Sequence, residues 1–274
     1  MSTTASQQAT IEASSKFTPE GDTFTLGGKT FSSRLILGSG KFSLPLIKAV
    51  AEEGKAQIIT LALRRATPDG QENILDFMPK DVTLLPNTSG ARTAEEAVRI
   101  AELSRAMGCG DFVKVEIISD ARWLLPDNNE TIRATKMLAD KGFVVLPYMY
   151  PDYYATKALE EAGAAAIMPL AAPIGSNRGL CTKAFIDIVL KSTDLPVIVD
   201  AGIGKPSEAC EAMEMGVTAI MCNTAIATAG NVAQMCKAFR LAIEAGRLAY
   251  LGQTGRVIAD QAEASSPLTG FLND

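Results

Sequence analysis

Short apolar runs alternate with amphipathic segments along most of the chain. From residue 34 onward this alternation repeats with a period of roughly 20 to 30 residues, which is typical of consecutive βα units. Glycine, proline, asparagine or aspartate flanks each run, and eight runs predict strands: Leu35–Leu37, Gln57–Leu61, Thr83–Leu85, Phe112–Ile117, Phe143–Pro147, Ala165–Met168, Val197–Asp200 and Ala219–Cys222. The chain is therefore expected to form eight βα units.

Helix signals lie between these runs. Thr93 and Glu96 have the spacing of a capping box at the start of a helix over residues 93–107. The apolar positions that share one face of this helix are Ala94, Ala97, Val98 and Ala101. Four glycines are predicted to end helices, because glycine adopts the left-handed conformation readily: Gly142, Gly163, Gly216 and Gly246. The helix signal over Glu72–Phe77 is weak.

Eight βα units can close into a barrel or remain an open sheet. The 274 residues fit one barrel domain. An open dinucleotide-binding sheet would carry its glycine fingerprint after the first strand, and Gly38-Ser39-Gly40-Lys41 lacks both the third glycine and the P-loop spacing. We therefore expect a single α/β domain, a (β/α)8 TIM barrel over residues 21–274, preceded by a disordered tail over residues 1–20.

Composition excludes several classes of function. A net charge of -5 and a pI near 5.0 argue against nucleic-acid or anionic-membrane partners. The absence of histidine removes imidazole catalysis and histidine-ligated zinc, and no metal or cofactor site is predicted. Five cysteines without a C-x-x-C pair, and an N-terminal run without a signal or transit pattern, favour a cytoplasmic protein with reduced thiols.

The fourth predicted strand carries a lysine and a carboxylate on one face. Alternation directs Lys114 and Glu116 to the barrel interior and Val113 and Val115 to the helices. Burying an ammonium is unfavourable unless the group is paired or becomes neutral, and a neutral lysine is a nucleophile. Two interpretations stay open here: a structural Lys-Glu pair, or a Schiff-base lysine with Glu116 as its acid/base partner.

Other candidates follow strands six, seven and eight, at the mouth where barrel enzymes build their sites. Asp200 ends strand seven and is either a second acid/base group or a loop cap. Gly202 and Asn223-Thr224 occupy the two loops that commonly bind phosphate in barrels, and Gly175 lies in the long loop after strand six. Arg64-Arg65, after strand two, is as consistent with an exposed surface as with an anion site.

Several ordered motifs together resemble the bacterial and plastid thiazole synthases of thiamin biosynthesis. The likeness covers roughly residues 24 to 270. Its motifs are Leu61-Ala62-Leu63-Arg64-Arg65, Leu85-Pro86-Asn87-Thr88, Val113-Lys114-Val115-Glu116, Ala172-Pro173-Ile174-Gly175-Ser176, Val199-Asp200-Ala201-Gly202-Ile203-Gly204 and Asn223-Thr224-Ala225-Ile226-Ala227. Their order and intervals make the resemblance far more specific than any one motif.

This resemblance implies a reaction and a set of roles. The reaction condenses 1-deoxy-D-xylulose 5-phosphate, dehydroglycine and sulfur from a small sulfur carrier protein that bears a C-terminal thiocarboxylate. Lys114 matches the imine-forming lysine, and Glu116 and Asp200 match the acid/base carboxylates. Five further positions match sugar-phosphate-binding residues: Gly175, Ala201, Gly202, Asn223 and Thr224. The resemblance also implies a homo-oligomer, a tetramer. The segment Ala264-Ser265-Ser266-Pro267-Leu268 resembles the family too, and we hypothesise that it packs near the carrier-binding mouth, because it follows the last helix.

Two alternatives share part of this pattern. A class I aldolase, or another imine-forming barrel, would keep the interior lysine and the phosphate loops but would need no sulfur donor. A non-catalytic sugar-phosphate sensor would keep the phosphate loops without requiring Lys114 and Glu116. Incorporation of sulfur into the product separates the first alternative from a thiazole synthase.

Overall fold

The computed structural model describes residues 21–40, 44–62 and 77–259. The strands are β1 (Phe24–Leu26), β2 (Lys29–Phe31), β3 (Leu35–Gly38), β4 (Ile58–Ala62), β5 (Thr83–Asn87), β6 (Phe112–Val115), β7 (Val144–Met149), β8 (Met168–Pro169), β9 (Ile198–Val199) and β10 (Ala219–Cys222). The helices are α1 (Leu44–Gly54), α2 (Ala94–Ala106), α3 (Asn128–Ala139), α4 (Tyr153–Glu161), α5 (Lys183–Leu190), α6 (Pro206–Glu214), α7 (Thr224–Ala227) and α8 (Val232–Gly252).

Strands β3 to β10 form one parallel sheet that closes on itself. Its hydrogen-bonded order is β8-β7-β6-β5-β4-β3-β10-β9. The two ends of this order meet through parallel bridges between Ile167 and Val197 and between Leu170 and Asp200. The Asp200 N–H also donates to the Pro169 carbonyl at 3.0 Å. The predicted eight-stranded (β/α)8 barrel is thus confirmed, and the open-sheet alternative is excluded.

Side chains inside the barrel divide into two halves. The lower half is an apolar cluster to which Ile36, Leu85, Leu146 and Ile198 contribute, all at most 1% exposed. Outward residues of the same strands pack against the helices, as Val113 and Val115 do against α2 and α3. Above the apolar half, towards the carboxyl ends of the strands, the interior becomes polar. The polar half, at the carboxyl ends of the strands, is where the candidate site lies.

The strand ends and the cap of α2 refine the sequence prediction. Every predicted run overlaps a strand, but Ala165–Met168 shares only Met168 with β8, and β6 stops at Val115 rather than at Ile117. The Thr93 hydroxyl accepts from the Glu96 N–H at 3.3 Å and so caps α2, whereas the Glu96 carboxylate accepts from the Arg92 N–H instead of completing the box. The predicted apolar face of α2 is buried.

Three of the four predicted helix-ending glycines are confirmed, and one is wrong. Gly142, Gly163 and Gly216 follow α3, α4 and α6 with positive φ. Gly246 instead lies inside α8, which continues to Gly252. A Cβ at Gly246 would overlap the Cys210 carbonyl, so this glycine lets α6 and α8 pack closely.

An antiparallel hairpin of β1 and β2 precedes the barrel and was not predicted. Its Gly27-Gly28 turn has φ of 54° and 77°, as a two-residue hairpin turn requires. Phe24, Leu26 and Phe31 join the apolar cluster of the lower barrel. The glycine pair between two alternating runs is the signal that could have revealed this hairpin.

Several features complete the description of the chain. All five cysteines are free. In the described part of the chain, no helix is both long and apolar enough to span a membrane. Some predictions lie outside the described residues: the tail over residues 1–20, Arg64 and Arg65, the helix signal over 72–76 and the segment 264–268.

Candidate active site

A cavity of about 350 Å³ opens at the carboxyl ends of the barrel strands. Because each strand of a parallel barrel ends at this face, residues far apart in the sequence meet there. All eight predicted site residues line the cavity: Lys114, Glu116, Gly175, Asp200, Ala201, Gly202, Asn223 and Thr224. The structure therefore brings these eight residues together at one cavity.

Lys114 lies between two carboxylates at the base of this cavity. Its Nζ is 3.3 Å from Glu116 Oε2 and 2.5 Å from Asp200 Oδ2. The side chains of the lysine and of Asp200 are only 3% exposed, and that of Glu116 is 10% exposed. The structural interpretation of a simple Lys-Glu pair is therefore incomplete, because a second carboxylate joins it from across the barrel.

Pairing decides the protonation of Lys114. Burial alone would lower its pKa, but the charges of Asp200 and Glu116 and their hydrogen bonds outweigh burial, so the pKa of Lys114 is raised. The resting amine is an ammonium held by an ion pair, not the neutral amine that burial by itself would favour. A nucleophilic Lys114 must first give its proton to a neighbour.

Asp200 is the group best placed to accept that proton. Burial raises the pKa of Asp200, Lys114 opposes this rise, and the nearby Glu116 carboxylate adds to it. The net direction is upward. Two carboxylates beside one ammonium carry an excess negative charge, so a proton can pass from Lys114 to Asp200 without leaving the cluster.

Tyr148 is a neighbour of this cluster that the sequence reasoning missed. Its ring centroid lies 5.1 Å from Lys114 Nζ, within the range of a cation–π contact. The side chain is fully buried, and its hydroxyl has no hydrogen-bond partner among the described residues. Burial raises the pKa of Tyr148, and the charges of Asp200 and Glu116 raise it further, so the phenol stays protonated. Alternation along β7, which turns Leu146 inward, was the available signal.

The chain turns sharply at the mouth directly after Asp200. Ala201 and Gly202 both have positive φ, 57° and 85°, a conformation that is unfavourable for alanine. A Cβ at Gly202 would overlap the backbone of Ala172, so only glycine fits between the loops after β8 and β9. The Gly202 carbonyl accepts from the Gly179 N–H at 2.8 Å, which ties these two loops together.

Asn223 explains the glycines at the end of β3 and just beyond it. A Cβ at Gly38 would overlap the Asn223 side chain, and a Cβ at Gly40 would lie 2.8 Å from Asn223 Nδ2. The Gly38-Ser39-Gly40 sequence therefore makes room for a carboxamide at the mouth. Asn223 is the N-cap residue of α7, but its side chain does not cap the helix. Its Oδ1 is buried and has no hydrogen-bond partner within the described ranges. Such a group is suited to contact a ligand.

These features define a class of protein. A closed parallel barrel, with an interior lysine and two carboxylates under a cavity at the strand ends, is the arrangement of a (β/α)8-barrel enzyme.

The particular family follows from comparison with known proteins. The family model described as "Thiazole biosynthesis protein ThiG" matches residues 25–267. The chain belongs to this family, the thiazole synthases of thiamin biosynthesis. A thiazole synthase of Clostridium beijerinckii is 68% identical over 253 residues, covering 92% of this chain and 99% of the relative. One of Clostridioides difficile is 61% identical over 255 residues, with 92% and 99% coverage.

Solved structures agree on the fold. The Amycolatopsis orientalis BexX/CysO complex contains a chain with a TM-score of 0.77 and 32% identity, covering 86% of this chain and 98% of that one. A phosphoribosyl anthranilate isomerase of Thermus thermophilus has a TM-score of 0.53 at 14% identity, covering 76% and 97%, and this likeness concerns the fold alone. The thiazole synthase resemblance drawn from the sequence is confirmed.

Proposed function

We propose that Lys114 forms an imine with the ketone of 1-deoxy-D-xylulose 5-phosphate. The chain then condenses this adduct with dehydroglycine and with sulfur from a carrier-protein thiocarboxylate to give the thiazole phosphate. The observation that carries the proposal is the buried Lys114, flanked by Glu116 and Asp200, at the base of a cavity. An imine needs an amine nucleophile with acid/base groups in contact, and this cluster supplies both.

The first step follows from the charges of the cluster. The Lys114 ammonium passes a proton to Asp200, whose pKa is raised, and the free amine attacks the ketone carbon. A C–N bond forms, and the carbonyl oxygen takes a proton to give a carbinolamine. Loss of that oxygen as water, with a second proton from a carboxyl group, leaves the iminium. Glu116, 3.3 Å from Nζ, is placed for the proton transfers that follow.

We place the phosphate of the sugar against the loops at the cavity mouth, above Lys114. Gly175, Ala201 and Gly202 bring main chain close to the cavity without large side chains. Asn223 and Thr224 add a carboxamide and a hydroxyl from the neighbouring loop. Loops after the seventh and eighth barrel strands are the usual phosphate site of this fold, which supports the assignment.

A small sulfur carrier protein is the proposed macromolecular partner. The Amycolatopsis relative was solved as a complex with a protein named CysO, which supports a protein partner for this chain too. A C-terminal thiocarboxylate lies at a chain end, where residues are commonly not tied down, so it can reach into a cavity that opens at the barrel mouth. We further propose that the chain is cytoplasmic and forms a homotetramer, and sedimentation tests the tetramer. The proposed catalytic unit is one barrel over residues 21–274, with residues 1–20 outside it. A truncation that starts at Gly21 tests this boundary.

Sulfur incorporation tests the proposed function. The purified chain would be incubated with the pentulose phosphate, dehydroglycine and a carrier protein whose thiocarboxylate holds ³⁴S. The expected product is a thiazole phosphate two mass units heavier than that from ordinary sulfur. A control without carrier protein should give no thiazole. Cleavage of the sugar phosphate without any sulfur-containing product would contradict the proposal and favour an aldolase.

A further inference from the structure

Thr88 lies where the pairing between β5 and β6 changes. Its N–H donates to the Lys114 carbonyl at 3.1 Å, which is a regular bond between parallel strands. In a regular ladder the Glu116 N–H would next donate to the Thr88 carbonyl. That carbonyl instead accepts from the Ala91 N–H at 3.0 Å, because the chain turns through Ser89 and Gly90.

The Thr88 hydroxyl occupies the gap in this ladder. Its Oγ1 accepts from the Glu116 N–H at 2.8 Å and donates to the Glu116 carbonyl at 2.9 Å. Thr88 and Glu116 are both buried. Main-chain pairing resumes beyond the turn, where the Ile118 N–H donates to the Ala91 carbonyl at 3.1 Å. One side-chain hydroxyl thus satisfies both backbone groups of Glu116.

We infer that Thr88 is a positioning residue, whose hydroxyl fixes the main chain of Glu116 and so aims its carboxylate at Lys114. This inference rests on the proposed function, in which Glu116 transfers protons. β-branching restricts the Thr88 side chain to few rotamers, so the hydroxyl is held in one direction. The last residue of the Leu85-Pro86-Asn87-Thr88 motif thus has a role in positioning Glu116, and this role requires no contact with the substrate.

The geometry separates the support of Lys114 from the support of Glu116. The Lys114 carbonyl accepts from the Thr88 N–H and its ammonium pairs with Asp200, and both contacts persist when only the hydroxyl is removed. The 3.3 Å contact of Lys114 with Glu116 is the one that depends on how Glu116 is held. Glu116 loses two hydrogen bonds in the same change. Removal of the hydroxyl therefore affects the steps that need Glu116 more than it affects formation of the imine.

Thr88→Val and Thr88→Ser test this separation. Val keeps the shape of threonine without its hydroxyl, and Ser keeps the hydroxyl. For Thr88→Val we expect kcat to fall by about 10- to 100-fold, with the KM for the sugar phosphate within about threefold of the parent value. A loss in kcat without a matching rise in KM would show that the change acts on the chemical steps rather than on binding of the sugar phosphate. Thr88→Ser should retain kcat within about threefold.

Thr135→Val is the matched control, because Thr135 is also fully buried and its hydroxyl donates to a backbone carbonyl, that of Thr131, in a helix away from the site. It should leave kcat and KM unchanged. If Thr88→Val does not fold, Thr88→Ala removes the hydroxyl with less bulk and carries the same expectations.

A double variant decides whether Thr88 acts through Glu116. In the Glu116→Gln background, Thr88→Val should slow turnover no further, since the two residues act as one unit. Independent, multiplicative losses, or a Thr88→Val enzyme with parental kcat, would overturn the inference. Parental kcat in Glu116→Gln alone would instead refute the proposed role of Glu116, so the two failures are distinguishable.

Discussion

Two charge clusters at opposite ends of the barrel have inverse composition. At the mouth, one ammonium, Lys114, lies between the carboxylates of Glu116 and Asp200. Below the barrel, one carboxylate, Asp22, lies between two guanidinium groups. Arg34 Nε is 2.8 Å from Asp22 Oδ2, and Arg247 donates to both oxygens of Asp22 at 2.9 Å.

The two clusters shift carboxyl pKa values in opposite directions. Burial opposes ionisation of Asp22, but hydrogen bonds from Arg247 and Arg34 and their charges outweigh it and lower the pKa of Asp22 to about 2. At Asp200, burial prevails and the pKa is raised. An excess of cations therefore yields an anion that joins the residues before β1 to α8. An excess of carboxylates yields a group that can take up a proton.

Lys114→Arg should give the largest effect on function. Arginine keeps the positive charge between the two carboxylates, but it stays protonated and cannot form an imine. We expect thiazole formation to fall by at least about 10³-fold, while the thermal unfolding midpoint changes little. Product formation and the unfolding midpoint would be measured on the same preparation. Substantial turnover by this variant would place the chemistry elsewhere.

Asp200→Asn should separate chemistry from stability at the mouth. It removes a proton acceptor, so we expect kcat to fall by about 10²- to 10⁴-fold. It also removes a buried carboxylate that repels Glu116 and leaves a neutral Lys-Glu pair, so the free energy of unfolding should change by less than about 1 kcal/mol. Urea denaturation provides the check. A large loss of stability together with normal kcat would show that Asp200 has a structural role rather than a role in proton transfer.

Asp22→Asn should show the opposite outcome. Its loss leaves Arg34 and Arg247 without their anion, and we expect the free energy of unfolding at pH 7 to fall by about 1–2 kcal/mol after allowance for solvent screening. The kcat of folded enzyme should not change, because Asp22 lies at the other end of the barrel. Denaturation and kinetics on one sample measure both quantities.

The Asp22 contribution should also depend on pH in a defined way. The folded pKa, about 2, lies below the ordinary value of 3.8, so the stabilisation is fully present above the ordinary value and is lost as the pH falls towards 2. The stability difference between the parent chain and Asp22→Asn should therefore shrink between pH 4 and pH 2. A difference that stays constant over this range would show that the carboxylate charge is not its source.

Local pattern predicted the fold and one strand of the site, but not the meeting of distant residues. Alternation along the predicted run Phe112–Ile117 placed Lys114 and Glu116 inside the barrel, because side chains on a strand alternate between its faces. The contact of Lys114 with Asp200 depends on closure of the barrel, which the pattern of a short stretch of sequence does not predict. Its position at the end of the seventh predicted strand had already made Asp200 an acid/base candidate, but that position did not predict its contact with Lys114.

Other features depend on tertiary packing and had weak signals or none. Gly246 has the sequence context of a helix end, but α6 packs against α8 there and the helix continues. In the sequence, Thr88 resembles any residue at the end of a strand. Its role depends on a turn that directs its carbonyl to the Ala91 N–H, and this turn was not predicted from the sequence. Alternation along β7 could have predicted that Tyr148 faces the barrel interior. A tyrosine among apolar residues is, however, more often a packed core residue than part of a site.

Reductive trapping tests the central claim most directly. The purified chain would be treated with borohydride in the presence of 1-deoxy-D-xylulose 5-phosphate, digested, and examined by peptide mass spectrometry. We expect one sugar-phosphate adduct, on the peptide that contains Lys114, and none in the Lys114→Arg variant. An adduct on another lysine, or an equal yield of adduct in the variant, would contradict the account.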